Sequence, residues 1–138
     1  ELGIKRGNHV GMISDNRKEW IISDLAMLGI GAVDVPRGSD STAEEIAYIL
    51  GHAECSTTFA ENNTQAEKIL SKKEELPNLK RVILYDGSKK PTEKQASGLE
   101  VLTFDELLAK GKELLSSKPD FFDKEVDKGS TDDLATLI

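Results

Sequence analysis

The chain has 138 residues, of which 38% are hydrophobic and 31% charged, with a formal net charge of −7. That is one domain's worth of globular chain without the basic footprint that displaces counterions, so nucleic acid is excluded as a partner. No apolar run approaches the length of a membrane span, and the single cysteine, Cys55, excludes an internal disulfide and favours a reducing, cytoplasmic setting.

In chain order, residues 9–15 form a short apolar run closed by Asp15 and Asn16, which reads as a strand followed by a helix start. Residues 17–28 place Trp20, Ile21, Leu25 and Leu28 at helical spacing, so Trp20 and Leu28 are expected to bury against a sheet, with Gly29 and Gly31 ending the helix. A second strand is predicted at 32–35, stopped by Pro36. Ser41 with Glu44, or Thr42 with Glu45, then makes a capping box for a helix carrying Ile46, Ile49 and Leu50. Residues 55–60 read as a third strand. Asn62 or Asn63 caps the next helix, which shows Ala66, Ile69 and Leu70 and stops by Pro77, and residues 79–85 give a fourth strand.

Residues 87–98 lack periodicity and read as a mobile surface loop. A short strand follows at 99–102. Thr103 and Glu106 form another capping box, with Leu102 and Leu107 spaced as a hydrophobic staple and Leu107, Leu108 and Leu114 marking the helix face. Residues 116–133 read as an acidic connector, and 134–138 as the start of one more strand. Strand and helix alternating in this way predict an α/β fold: five or six mostly parallel strands with helices on both faces.

Searches for chemistry return little. There is no Gly-x-x-x-x-Gly-Lys loop, and the Gly29, Gly31 pair follows a helix instead of opening one, so it is no dinucleotide fingerprint. His52 and Cys55 are spaced for a metal but have no second pair; His9 is distant, and Cys55 reads as a small core residue. Asp120, Asp123, Asp127, Asp132 and Asp133 miss the calcium-loop spacing. A phospho-receiver needs paired acids after its first strand and an aspartate ending its third; Asp15 stands alone and the third strand ends at Glu61. Lys68, Lys72 and Lys73 read as a solvated helix face. Asn16, Arg17, Glu19 and Trp20 read as helix start and core packing. Asp34, Arg37 or Asp40, at a strand's carboxyl end, are the candidates to face a ligand crevice.

A longer pattern is more specific. Residues 3–20 (Gly-Ile-Lys-Arg-Gly-Asn-His-Val-Gly-Met-Ile-Ser-Asp-Asn-Arg-Lys-Glu-Trp) and 24–36 (Asp-Leu-Ala-Met-Leu-Gly-Ile-Gly-Ala-Val-Asp-Val-Pro) resemble the amino-terminal region of AMP-forming acyl-CoA synthetases. Segments 16–20 and 31–36 look most like the long-chain fatty acid branch. The resemblance continues through 47–50 (Ala-Tyr-Ile-Leu), 76–84 (Leu-Pro-Asn-Leu-Lys-Arg-Val-Ile-Leu) and 102–107 (Leu-Thr-Phe-Asp-Glu-Leu). It ends at 132–138 (Asp-Asp-Leu-Ala-Thr-Leu-Ile), which looks like the run into that family's Gly/Ser/Thr-rich phosphate loop.

The resemblance implies a parent enzyme that joins fatty acid, ATP and CoA through an acyl-adenylate, with magnesium, in the cytoplasm or peripherally at a membrane's inner face. Residues 1–138 are then expected to be a fragment of its large AMP-binding domain. The resemblance names no residue here as catalytic, cofactor-binding or metal-binding, and it implies that the fragment alone is inactive. The competing readings are a stand-alone α/β module that binds a nucleotide or partner without catalysis, and an aryl- or amino-acid-adenylating relative.

Overall fold

The computed structural model describes residues 2–96 and 98–138. Among these residues five strands form one sheet: β1 (His9–Ile13), β2 (Val33–Arg37), β3 (Thr57–Ala60), β4 (Arg81–Leu84) and β5 (Glu100–Thr103). Their order is β2-β1-β3-β4-β5 and every neighbouring pair is parallel. Among the described residues six α-helices connect and follow them: α1 (Lys18–Ile30), α2 (Ala43–His52), α3 (Asn63–Ser71), α4 (Glu93–Ala96), α5 (Phe104–Ser117) and α6 (Phe121–Val126). The α/β expectation holds.

Two cores lie on opposite faces, because alternate strand residues point opposite ways. Ile13, Val35, Ala60, Val82, Leu84 and Val101 pack with Ile46 and Leu50 of α2 and Ala66 and Ile69 of α3. Val10, Met12, Phe59, Ile83 and Leu102 pack with Met27 of α1 and Phe104 of α5. The sheet is thus covered on both faces, as parallel ladders require.

Local chemistry chooses among the alternatives left open by the sequence. The box that forms on α2 is Thr42 with Glu45, and Asn62 caps α3 by accepting from Gln65 N–H. Thr103 and Glu106 form the expected box on α5. Gly31, at φ 71°, makes the left-handed stop of α1, while Gly29 lies within that helix.

Four expectations change. First, α1 turns a partly different face to the sheet: Trp20 packs against the core as expected and Met27 and Ser23 are buried, whereas Ile21, Leu25 and Leu28 are 52%, 60% and 43% exposed. Apolar residues run around much of this helix, so spacing alone could not name the buried side. Second, the stretch 87–98 contains α4, capped where Thr92 Oγ1 accepts from Gln95 N–H at 3.4 Å. Third, the stretch 116–133 holds the end of α5 and all of α6, and Phe122 of α6 lies over Gly29 of α1. Its aromatic pair supplies the apolar contact that the acidic composition obscured. Fourth, residues 134–138 make a single parallel bridge, Asp34 with Thr136, and no sixth strand. Asp34 N–H donates to Ala135 O and Leu137 N–H to Asp34 O. The next ladder donor on β2 would be Pro36, which has no N–H, so pairing stops there.

Candidate functional site

The path from β2 through α2 crosses β1 to reach β3, so the sheet order reverses between β1 and β3. Outside the carboxyl ends of strands at such a reversal, open α/β sheets form their ligand crevice. A crevice of about 410 Å³ opens one strand over, between the carboxyl ends of β1 and β2, lined by Ser14, Asp15, Asn16 and Trp20 after β1 and by Pro36, Arg37 and Gly38 at the end of β2.

Its loops are tied together by carboxylates. Glu61, following β3, accepts from Asp15 N–H through Oε2 at 2.8 Å. Asp15 Oδ1 accepts from Ser39 N–H at 3.1 Å, joining the β1 and β2 loops, and hydrogen bonding from Ser39 holds its carboxyl below the usual range. Arg17 donates to Glu19 Oε2 at 2.7 Å, which holds the Glu19 carboxyl down, and to Glu61 O at 3.4 Å. Its guanidinium also lies 5.7 Å over the Tyr85 ring. Asn16, Arg17, Glu19 and Trp20 therefore do more than start a helix. Asn16 and Trp20 line the crevice, and Arg17 bridges β1 to the ends of β3 and β4.

Of the three strand-end candidates, Arg37 lines the crevice, and Asp40 folds back toward Gly38 beside it. Asp34 lies elsewhere. It is 3% exposed within β2, accepts from Thr136 Oγ1 at 3.1 Å, and burial pushes its carboxyl up. Lys68 does not belong to a solvated face, because its Nζ donates to Ser39 O and Ser41 O at 3.0 and 2.8 Å and steadies the β2–α2 loop. Lys72 pairs with Glu44 and Glu75. The ties of Asp15 to Glu61 and Ser39, and of Lys68 to Ser39 and Ser41, do not announce themselves in sequence, since partners 24 to 46 residues apart leave no local pattern.

The two histidines and Cys55 take structural positions. His9 Nδ1 lies 2.8 Å from Ala53 O, His52 stacks on Tyr48, and burial pushes the Cys55 thiol up to about 12, making it a poor nucleophile. Asp133 pairs with Arg6 and Asp120 with Lys124. Among the described residues no group of three His, Cys, Asp or Glu side chains could hold a metal ion. The crevice can orient a polar ligand between Arg37 and the loop backbones. It pairs no nucleophile with a base.

A second concavity lies on the sheet face under α1, α5 and α6. It measures about 650 Å³ and is walled mainly by hydrocarbon. Ser23 lines it, and burial pushes the Tyr85 hydroxyl up, opposed in part by hydrogen bonding from Ser23.

A family model described as AMP-binding enzyme matches residues 1–138. The long-chain-fatty-acid–CoA ligase FadD15 of Mycobacterium tuberculosis is 36% identical over 87 residues, covering 63% of this chain and 14% of that protein. The long-chain-fatty-acid–CoA ligase ACSBG2 of Xenopus laevis is 31% identical over 120 residues, covering 87% of this chain and 16% of that protein. The chain therefore spans about one-seventh of the length of these relatives. In fold it is similar to the A domain of carboxylic acid reductase from Segniliparus rugosus, solved with AMP and a co-purified carboxylic acid. The TM-score is 0.68 at 17% identity, over 81% of this chain and 20% of that one. A parallel sheet with its crevice at the strand carboxyl ends and a family match along its whole length lead to one conclusion: the chain belongs to the AMP-binding enzyme family.

Proposed function

We propose that this chain is part of the large AMP-binding domain of a long-chain fatty acid–CoA ligase. The observation that carries the reading is the match to bacterial and vertebrate relatives bearing that name, at 36% and 31% identity. In the proposed reaction a fatty acid carboxylate oxygen attacks the α-phosphorus of ATP, and the bond to the pyrophosphate leaving group breaks. The CoA sulfur then attacks the acyl carbon, the carbon–oxygen bond to AMP breaks, and the thiol proton is lost. The crevice at Ser14, Asp15 and Arg37 is the part of this sheet that would face the nucleotide side of the domain.

The chain's own residues frame the site and leave the chemistry to groups outside it. No phosphate-cradling Gly-x-x-x-x-Gly-Lys run occurs in the sequence, and no described cluster suits magnesium, so no step is assigned to a metal here. No helix among the described residues is long and apolar enough to cross a membrane. Action in the cytoplasm, with the oily substrate collected peripherally from a membrane surface, completes the proposal. The test is palmitate-dependent ATP–pyrophosphate exchange. The 138-residue chain by itself should give none, and the product of the complete gene should exchange briskly. Exchange by the isolated chain, freed of contaminating enzyme, overturns this division of labour.

A further inference from the structure

Residues 134–138 meet the sheet at its β2 edge through a single bridge, Thr136 beside Asp34. The main chain contributes two bonds, Asp34 N–H to Ala135 O at 3.2 Å and Leu137 N–H to Asp34 O at 2.9 Å. Leu134, Leu137 and Ile138 stay exposed, so little apolar burial holds the segment in place. Backbone bonds alone do not choose its register, because a slip of two residues restores the same pattern of donors and acceptors. Such a slip would set Leu134 or Ile138 beside Asp34. The Asp34 carboxyl is buried, and Oδ2 accepts from Thr136 Oγ1 at 3.1 Å. The charged group that bears on it is Asp24 of α1, which has the same sign. Thr136 carries the single hydroxyl of 134–138, so either slip leaves a buried carboxyl without this donor. Parallel pairing sends the chain beyond Thr136 toward the carboxyl end of β2, where Pro36 and Arg37 line the crevice.

We propose that Asp34 is a positioning residue which, through Thr136, locks residues 134–138 in register on β2 and so fixes where the continuing chain reaches the crevice. The continuation of the chain rests on the ligase reading; the lock itself does not.

Two measurements separate these claims. In the 138-residue chain, amide hydrogen exchange at Leu137 should quicken by about fivefold or more in Thr136→Val, with the β1–β3 ladder still protected. Thr136→Ser, which keeps the hydroxyl, should restore the slow exchange. In the complete gene product, Thr136→Val and Asp34→Ala should each raise the KM for ATP by about fivefold in palmitate-dependent pyrophosphate exchange. The KM for palmitate should hold, and Thr136→Ser and Asp34→Asn should behave as the parent does. Joining Asp34→Ala to Thr136→Val should do no more harm than the worse single change. A general weakening of the fold would lower the amount of active enzyme and leave both KM values alone. Unchanged Leu137 exchange in Thr136→Val overturns the lock. An unmoved KM for ATP in an active product overturns the positioning role. A parent product without exchange overturns the ligase reading and the positioning role together, while Leu137 still decides the lock.

Discussion

Glu61 Oε2 accepts the Asp15 backbone N–H at 2.8 Å, so the residue after β3 closes the turn after β1 at the point where the sheet order reverses. The bond to a charged acceptor fixes the crevice wall that bears Ser14 and Asp15. Glu61→Ala should cost about 1 kcal/mol in urea unfolding, below the usual range for a bond to a charged group because this one is solvent-exposed. Glu61→Gln, which keeps an acceptor oxygen, should lose less. Equal losses would show that the negative charge, and not the acceptor, matters.

Gly11 sits in β1 where β3 and α2 press close. A Cβ there would lie 2.3 Å from Leu50 Cδ2 and 2.5 Å from Thr58 Oγ1, both on fully packed neighbours. Gly11→Ala should destabilise the fold by about 1–3 kcal/mol through overpacking. A neutral result in equilibrium unfolding would mean that the two cores are looser than described.

The orientation of α1 yields a paired comparison. Met27 is 4% exposed and Leu25 is 60% exposed. Met27→Ala should cost about 3 kcal/mol, and Leu25→Ala no more than about 0.5 kcal/mol. The reverse order would restore the stripe that the sequence spacing favoured.

Those two residues also show where sequence reading stops. Capping boxes at Thr42 and Thr103, the αL stop at Gly31 and the apolar strands are local signals, and each stands where local chemistry predicts. The face of α1 and the helical state of 121–126 depend on partners far along the chain, such as Phe122 against Gly29. Arg37 was legible as a crevice residue because it ends a strand. Asp34, two residues before Pro36, was not separable from it until Thr136 was seen beside it.

Asp34 gives a pH prediction. Burial raises its carboxyl, with the Asp24 charge adding to the rise and the Thr136 hydrogen bond opposing it. The folded state therefore holds this proton more tightly than the unfolded chain. Its stabilising contribution is complete below the unfolded value and disappears as pH climbs through the raised folded value. Asp34→Asn keeps an acceptor for Thr136 and removes the ionisation, so it should flatten the fall in stability across that window and be the more stable form at neutral pH. Unfolding curves from pH 4 to 8 check the sign; a variant that tracks the parent throughout contradicts the burial argument.

The assignment to a long-chain ligase rests most directly on product chemistry. The complete gene product, given palmitate, ATP, magnesium and CoA, should form palmitoyl-CoA together with AMP and pyrophosphate, read by mass spectrometry and nucleotide chromatography. Thioester or adenylate formed only from aryl or amino acids, or ADP appearing in place of AMP, would contradict it.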